Sequence, residues 1–360
     1  MKLPKIAITH GDPNGIGYEV ILKCLEDTRM TELCIPIIYG SAKIAAHYRK
    51  LMDLPAVQLN HIKSAEDAQE GCVNIINVLP EDWKVDPGEC TEWGGRGAFM
   101  ALESAVSDMR NGLVDALVTA PVNKAAIQSD TFSFPGHTEY LEASLAAEGE
   151  QALMVLCAGD VRVALVTTHI PVSAIAQALT SENIVKKLEV FSHALHRDFR
   201  IHHPRIAVLG LNPHAGDGGL LGREEQEIII PAIEEAQQKK IQAFGPYAAD
   251  GFFGAGHYKK FDGILAMYHD QGLAPFKTLA MEAGVNFTAG LGDYVRTSPD
   301  HGTGFDIAGQ GVADESSLRQ AIYTAIDILR NRRSEDVAHR HPLRKQYYEK
   351  GSDNVVLDLS

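Results

Sequence analysis

Three histidines, His169, His214 and His269, fall at or just past the carboxyl ends of β-rich apolar runs, in RVALVTTH, RIAVLGLNPH and GILAMYHDQG. Those strand ends line the ligand crevice of an open α/β sheet, so three neutral imidazoles could converge there on one divalent ion. By ligand softness Zn, Co, Ni or Fe suits such a trio better than Mg or Ca. The plainer reading is three independently satisfied loop histidines, because the chain has 15 to draw on. Asp217 and Asp270 stand close to two of them and could orient or join the ligands, or be ordinary loop acids.

A second group of residues suits an anion. In FPGHTEYL, His137 and Thr138 precede a helix expected to begin near Glu139, whose free N–H groups would welcome negative charge; Thr138 could equally serve only as the N-cap. Further on, Lys277 and Arg296 could neutralise a phosphate or carboxylate, and Asn286 could fix an oxygen, unless all three are solvated surface side chains. The run RTSPDHGTGFDIAGQG has four glycines and almost no apolar filler. Such a segment builds little core and could bend around a flat cofactor or simply form a surface loop. The earlier HGDPNGIG, His10 to Gly17, looks like a phosphate cradle but lacks both the G-x-G-x-x-G spacing and the G-K-[ST] ending, so a tight turn between strand and helix explains it as well.

Positioning these groups requires a scaffold, and its pattern is visible. KIAIT, CIPIIYG, DALVTA, RVALVTTH, RIAVLGLN and GILAMYH read as buried strands alternating with amphipathic helices over 18–26, 97–109, 183–195, 224–237 and 318–330. That alternation predicts an α/β fold with largely parallel sheets flanked by helices. The helix near residue 320 could pack into the core or form a subunit interface, and NVVLDL at the end of the chain could dock as an added strand. At 360 residues two lobes with a cleft between them are expected. An excess of 47 acidic over 33 basic residues disfavours a nucleic-acid partner. The start, MKLPKIAITHGDPNG, has no signal-like apolar stretch and no later run has membrane-span length, so a cytoplasmic protein is expected. Cys24, Cys34, Cys72, Cys90 and Cys157 form no C-x-x-C pair and are read as reduced packing residues.

Taken in order, ITHGDPNGIGYE, GGRGAFMALE, VTAPVNKAAI, FPGHTEYL, LGLNPHAGDGGLLGREE, MYHDQGLAPFK, GVNFTAGL and VRTSPDHGTGFDIAGQG make the chain resemble the 4-hydroxythreonine-4-phosphate dehydrogenase family, related to isocitrate and isopropylmalate dehydrogenases. The match departs from the commoner pattern at His10, where Pro is frequent, and in a longer segment between about Lys43 and Thr91.

The resemblance implies that His169, His214 and His269 bind one divalent metal (Zn, Co or Mg) and that His137, Thr138, Lys277, Asn286 and Arg296 contact the substrate. It implies NAD, with NADP the alternative, held without a Rossmann fingerprint by a loop that includes His301, Gly302 and Asp306. It also implies a homodimer with a shared active site, in which His269 reaches the metal held by His169 and His214 of the partner subunit. The lobes expected are residues 1–128 plus 305–360, and 129–304. The implied reaction is oxidation of 4-hydroxy-L-threonine 4-phosphate, then decarboxylation to 3-amino-2-oxopropyl phosphate, in pyridoxal phosphate biosynthesis; Asp250 is the candidate proton acceptor. Competing readings are a dehydrogenase of threonate or erythronate 4-phosphate, a zinc hydrolase using the three histidines, and a non-catalytic metal- or phosphate-binding protein.

Overall fold

This computed structural model describes residues 2–129, 132–134, 136–280 and 283–340. Its strands are β1 (Lys5–Thr9), β2 (Ile35–Gly40), β3 (Leu59–Ile62), β4 (Val73–Asn77), β5 (Ala116–Thr119), β6 (Leu153–Ala158), β7 (Val161–Leu165), β8 (Arg205–Leu209), β9 (Gln242–Tyr247), β10 (Gly263–Ala266), β11 (Val285–Ala289) and β12 (Arg296–Pro299). They form one sheet in the order β3-β4-β2-β1-β5-β12-β11-β6-β7-β10-β8-β9. Eight of the eleven pairings are parallel; β6–β7, β6–β11 and β11–β12 are antiparallel. Each apolar run expected to be a strand is one, and residues such as Ile6, Ile8, Ile37, Leu117, Val208 and Leu265 are wholly buried. Helices covering both faces of a parallel sheet require that continuous apolar character.

The remaining six strands, β3, β4, β6, β9, β11 and β12, are not among the runs read from the sequence. β6 turns back into β7 through Gly159 and Asp160, with Gly159 at φ +53, so these strands form a tight hairpin. β9 contains Gly245 and Pro246 and lies at the sheet edge, where a missing donor costs least. β12 (RTSP) is short and polar, yet it lies between β5 and β11 with all four residues buried.

The helices Gly17–Glu26, Glu92–Arg110, Ser181–Arg197 and Ser316–Arg340 contain four of the amphipathic stretches, and the fifth divides into a π-turn, Glu225–Ile229, followed by the helix Ile230–Gln238. Thr91 and Thr180 cap two of them, accepting from the N–H groups of Gly94 and Asn183. Helix Ser316–Arg340 packs on β5, β11 and β12 through Leu318, Ala321, Ile322, Ala325, Ile326 and Leu329, all buried, so the apolar stripe near residue 320 is core packing. The NVVLDL segment lies outside the described residues.

The reading of the cysteines needs correction. Cys24, Cys34 and Cys157 are buried, but Cys72 is only partly covered and Cys90 is exposed on the segment before residue 91; all five are free. β4 joins the sheet through β2, and one buried amide adds a tie between the segment before residue 91 and the first turn. Asn14 Nδ2 donates to the Glu89 carbonyl (3.0 Å) and to Thr91 Oγ1 (2.9 Å), while its Oδ1 accepts from Asp86 N (2.9 Å). The HGDPNGIG turn serves packing here: a β-carbon at Gly17 would lie 2.0 Å from the His10 carbonyl oxygen. Among the described residues, no helix is long and apolar enough to cross a membrane.

Candidate active site

A cleft of about 290 Å³ opens beside the carboxyl ends of β5, β7 and β10 and is walled by β11 and β12. It brings together His137, Thr138, Lys277, Asn286 and Arg296, all expected at the substrate, with His169 and His269 of the metal set and His301 and Gly302 of the cofactor set. His214 and Asp250 do not line it. They face a neighbouring cleft of about 580 Å³ together with Asp270 and Gln271. Asp306 is exposed and lines neither.

Arg296 opens β12 and is only 2% exposed. Its Nε and Nη2 donate to Thr119 Oγ1 (3.1 and 2.6 Å), Nη1 donates to Thr288 Oγ1 (3.1 Å), and Nη2 also approaches His137 Nδ1 at 3.2 Å. Each of these acceptors is neutral, so among the described residues no carboxylate within bonding distance balances the charge. Burial accordingly lowers the guanidinium from its usual 12.5 to about 9, against a small opposing pull from Glu139. A buried cation surrounded by neutral acceptors is costly unless an anion completes its coordination. Lys277 adds a second positive charge; its Nζ donates to the Asp300 carbonyl at 3.0 Å.

His137 is held neutral, well below the usual imidazole range, first by burial and then by Arg296 and Lys124. A guanidinium can only donate, so His137 Nδ1 accepts and the ring proton resides on Nε2. Among the described residues that Nε2, which is buried, has no hydrogen-bond partner, and neither do the buried Asn286 Oδ1 and His301 Nε2. Three polar atoms of one cleft without protein partners, one of them an N–H donor, are what a polar ligand would satisfy.

The helix His137–Leu145 begins two residues earlier than the cap reading requires. Gly136 is its N-cap, and Thr138 lies inside the first turn and faces the cleft, so Thr138 does not cap the helix. The same turn carries Glu139, whose Oε1 lies 3.0 Å from His169 Nδ1, while Lys124 Nζ lies 2.7 Å from His169 Nε2. Because the ammonium donates, Nε2 accepts and Nδ1–H points to the carboxylate. Burial would raise the Glu139 carboxyl, but His169 and Lys124 hold it below the usual range; burial lowers Lys124, against the pull of Glu139. The order carboxylate, imidazole, cation is that of a metal-binding histidine with its orienting acid, and the Lys124 ammonium stands where the cation would be. Neither Lys124 nor Glu139 was singled out from the sequence; their meaning depends on contacts 45 and 30 residues away along the chain.

His269 opens the helix His269–Ala280, with its ring centroid 6.3 Å from that of His169 and its Nδ1 2.7 Å from Asp270 Oδ1. Of the two acids flagged beside the histidines, Asp270 is in contact with its neighbour His269, and Asp217 is exposed in the turn after His214. The expected convergence of three imidazoles is met by two in one chain. His214 lies in a left-handed turn, φ +55 at His214, +51 at Ala215, +81 at Gly216, +42 at Asp217 and +64 at Gly218, which places it in the neighbouring cleft. Left-handed backbone costs a residue with a β-carbon roughly 1–2 kcal/mol. Among the described residues, no three His, Cys, Asp or Glu side chains gather to hold a metal.

The family model described as "Pyridoxal phosphate biosynthetic protein PdxA" matches residues 32–325. A protein of Bacteroides thetaiotaomicron named 4-hydroxythreonine-4-phosphate dehydrogenase is 58% identical over 99% of this chain and 97% of its own. One from Oceanobacillus iheyensis, provisionally named for D-threonate 4-phosphate, is 40% identical over 91% of this chain and 98% of its own. The crystal structure of 4-hydroxythreonine-4-phosphate dehydrogenase from Klebsiella pneumoniae superposes with a TM-score of 0.79 at 36% identity, covering 91% of this chain and 98% of that one. The chain thus belongs to the pyridoxal phosphate biosynthetic PdxA family of dehydrogenases.

Proposed function

We propose that the chain oxidises 4-hydroxy-L-threonine 4-phosphate at its 3-hydroxyl with a nicotinamide cofactor, NAD or NADP, and that the product loses carbon dioxide to give 3-amino-2-oxopropyl phosphate. The observation that carries this reading is Arg296, a buried cation with only neutral acceptors around it, beside Lys277 and the three unpartnered polar atoms of the same cleft. Together these residues suit a phosphorylated hydroxy acid. Arg296 and Lys277 would hold its anionic groups, the His137 Nε2–H would donate to one of its oxygens, and Asn286 and Thr138 would fix its orientation. His301 and Gly302 would meet the cofactor at the cleft edge, with Asp306 further along the loop.

His169 and His269, each backed by a carboxylate, have the donor chemistry for a divalent ion, Zn, Co or Mg; His214 would supply the third imidazole. When bound, that ion and the nicotinamide would supply Lewis acidity at the hydroxyl oxygen and a hydride acceptor. The chain's own part is to hold His169 in the tautomer with an unprotonated Nε2, through Glu139, and to accept the hydroxyl proton. Asp250, exposed in the second cleft beside His214 and outside the substrate cleft of its own chain, is the group we assign to that last step, reaching it together with His214 from the other copy.

In one chain His169 and His269 share a cleft that His214 does not line, so the third imidazole would come from the other copy of a homodimer, whereas the resemblance divides the set as His169 and His214 against His269. The two lobes we propose, 1–128 with 305–360 and 129–304, would then flank each shared cleft, and the family's metabolic role suits a cytoplasmic enzyme. Mixed dimers test the sharing: homodimers of His214→Ala and of His269→Ala should be inactive, and exchange should restore roughly a quarter of wild-type activity. Heterodimers with no recovered activity would refute it. For the reaction itself, NADH formation is to be followed with 4-hydroxythreonine 4-phosphate and with threonate 4-phosphate. Turnover of only the second would replace the substrate proposed, and turnover of neither would reject the dehydrogenase reading.

A further inference from the structure

We infer that Glu225 is a positioning residue that sets His214 in place, an inference that rests on reading His214 as a metal ligand. Glu225 is 2% exposed and opens the π-turn Glu225–Ile229, on the element that follows the left-handed run. Its Oε1 accepts from the backbone N–H groups of both Leu211 and Asn212, each at 2.7 Å, and its Oε2 accepts from Asn212 Nδ2 at 2.9 Å. Asn212 is also bound by Glu224 Oε2 at 2.7 Å, and its own carbonyl accepts from Ala215 N at 3.1 Å. The carboxylate therefore grips the chain two and three residues before His214 and, through Asn212, the residue just after it.

Both flanks of the turn are shaped to this carboxylate. A β-carbon at Gly216 would lie 2.6 Å from Glu225 Oε2, and one at Gly210 would lie 3.1 Å from Oε1. Thus the carboxylate sits inside the curl that reverses the chain at His214, and every group bonded to it is a donor. Only an acceptor at both oxygens meets that demand; a glutamine would turn an NH₂ toward either the backbone N–H groups or the Asn212 amide. A run of left-handed residues that includes His214, Ala215 and Asp217 persists only where its surroundings over-determine it, and Glu225 is the buried group that does so. π-turns of this kind frequently accompany functional sites.

The test uses Co²⁺ binding to the full-length protein, followed by calorimetry and by the visible Co²⁺ spectrum, alongside amide exchange at residues 211–216 in the metal-free protein. Glu225→Ala is expected to weaken Co²⁺ binding by about 10- to 100-fold, shift the spectrum and speed exchange at 211–216, with Glu225→Gln intermediate because Oε1 can still accept. His214→Ala sets the scale for loss of the ligand itself. If His214→Ala binds Co²⁺ as wild type does, the ligand reading fails and this inference falls with it. If His214→Ala loses binding while a folded Glu225→Ala keeps wild-type affinity and spectrum, the inference alone is overturned. Should Glu225→Ala fail to fold, Glu225→Gln decides: wild-type affinity, spectrum and exchange overturn the inference, and loss in all three supports it.

Discussion

Replacing Arg296 by methionine should make the ligand-free protein more stable while removing its ability to bind phosphate. Burial takes the guanidinium from 12.5 to about 9, which at 1.36 kcal/mol per pH unit is an upper bound of about 5 kcal/mol of stability forgone. The sign follows from linkage. A cation whose folded value is depressed costs stability at every pH below about 9, and the cost fades as pH rises from there toward 12.5, where the unfolded chain holds the proton more tightly. Methionine fills similar volume without charge, but the variant loses the bonds to Thr119 and Thr288, so a net gain of about 1–4 kcal/mol is expected at pH 7. Denaturant unfolding with and without inorganic phosphate measures both halves. Phosphate at 100 times its dissociation constant should add about 2.7 kcal/mol to the wild type and nothing to Arg296→Met. A variant less stable than wild type without ligand, or one still stabilised by phosphate, would refute the view of Arg296 as a cation kept buried for its ligand.

Lys277→Ala should raise KM for the phosphorylated substrate by about 10- to 150-fold, or 1.5 to 3 kcal/mol, leaving KM for the nicotinamide cofactor little changed; an equal rise in both would place this cation on the cofactor. Chelation should abolish turnover yet preserve the circular dichroism spectrum, because His169, His214 and His269 lie beyond the strands and outside the core, and full activity in demetallated protein would remove the role given to them. Asn14→Ala should cost about 2–4 kcal/mol in urea unfolding, through the freed groups of Asp86, Glu89 and Thr91, with kcat unchanged since Asn14 lines neither cleft.

The scaffold was largely legible because parallel strands buried on both faces must be continuously apolar, and KIAIT, RIAVL and GILA are. Strands serving the ligand were not: β12 reads RTSP because its first residue is the buried cation itself, and no strand propensity survives that use. That His169 and His269 would face the cleft was legible because a polar residue just past a buried strand has few places to go except the crevice. Lys124 and Glu139 escaped because their roles come from a contact with His169 across the fold, with no spacing rule to mark it. The curl at His214 was only hinted at by Gly216, Gly218 and Gly219; the left-handed Ala215 and Asp217 are imposed by Glu225 from the following element.

The placement of β12 between β5 and β11 also governs how the molecule can be made. β5 ends at Thr119, and the bond from Arg296 to Thr119 spans 177 residues, so a chain leaving the ribosome displays one open edge of β5 until nearly the whole protein has emerged. That edge, ALVT, is apolar and uncharged, the type of strand that pairs with a neighbour when its own partner is late. Fragments ending before residue 296 should therefore collect as aggregates, because the strand that completes the anion site is also the strand that closes the exposed edge.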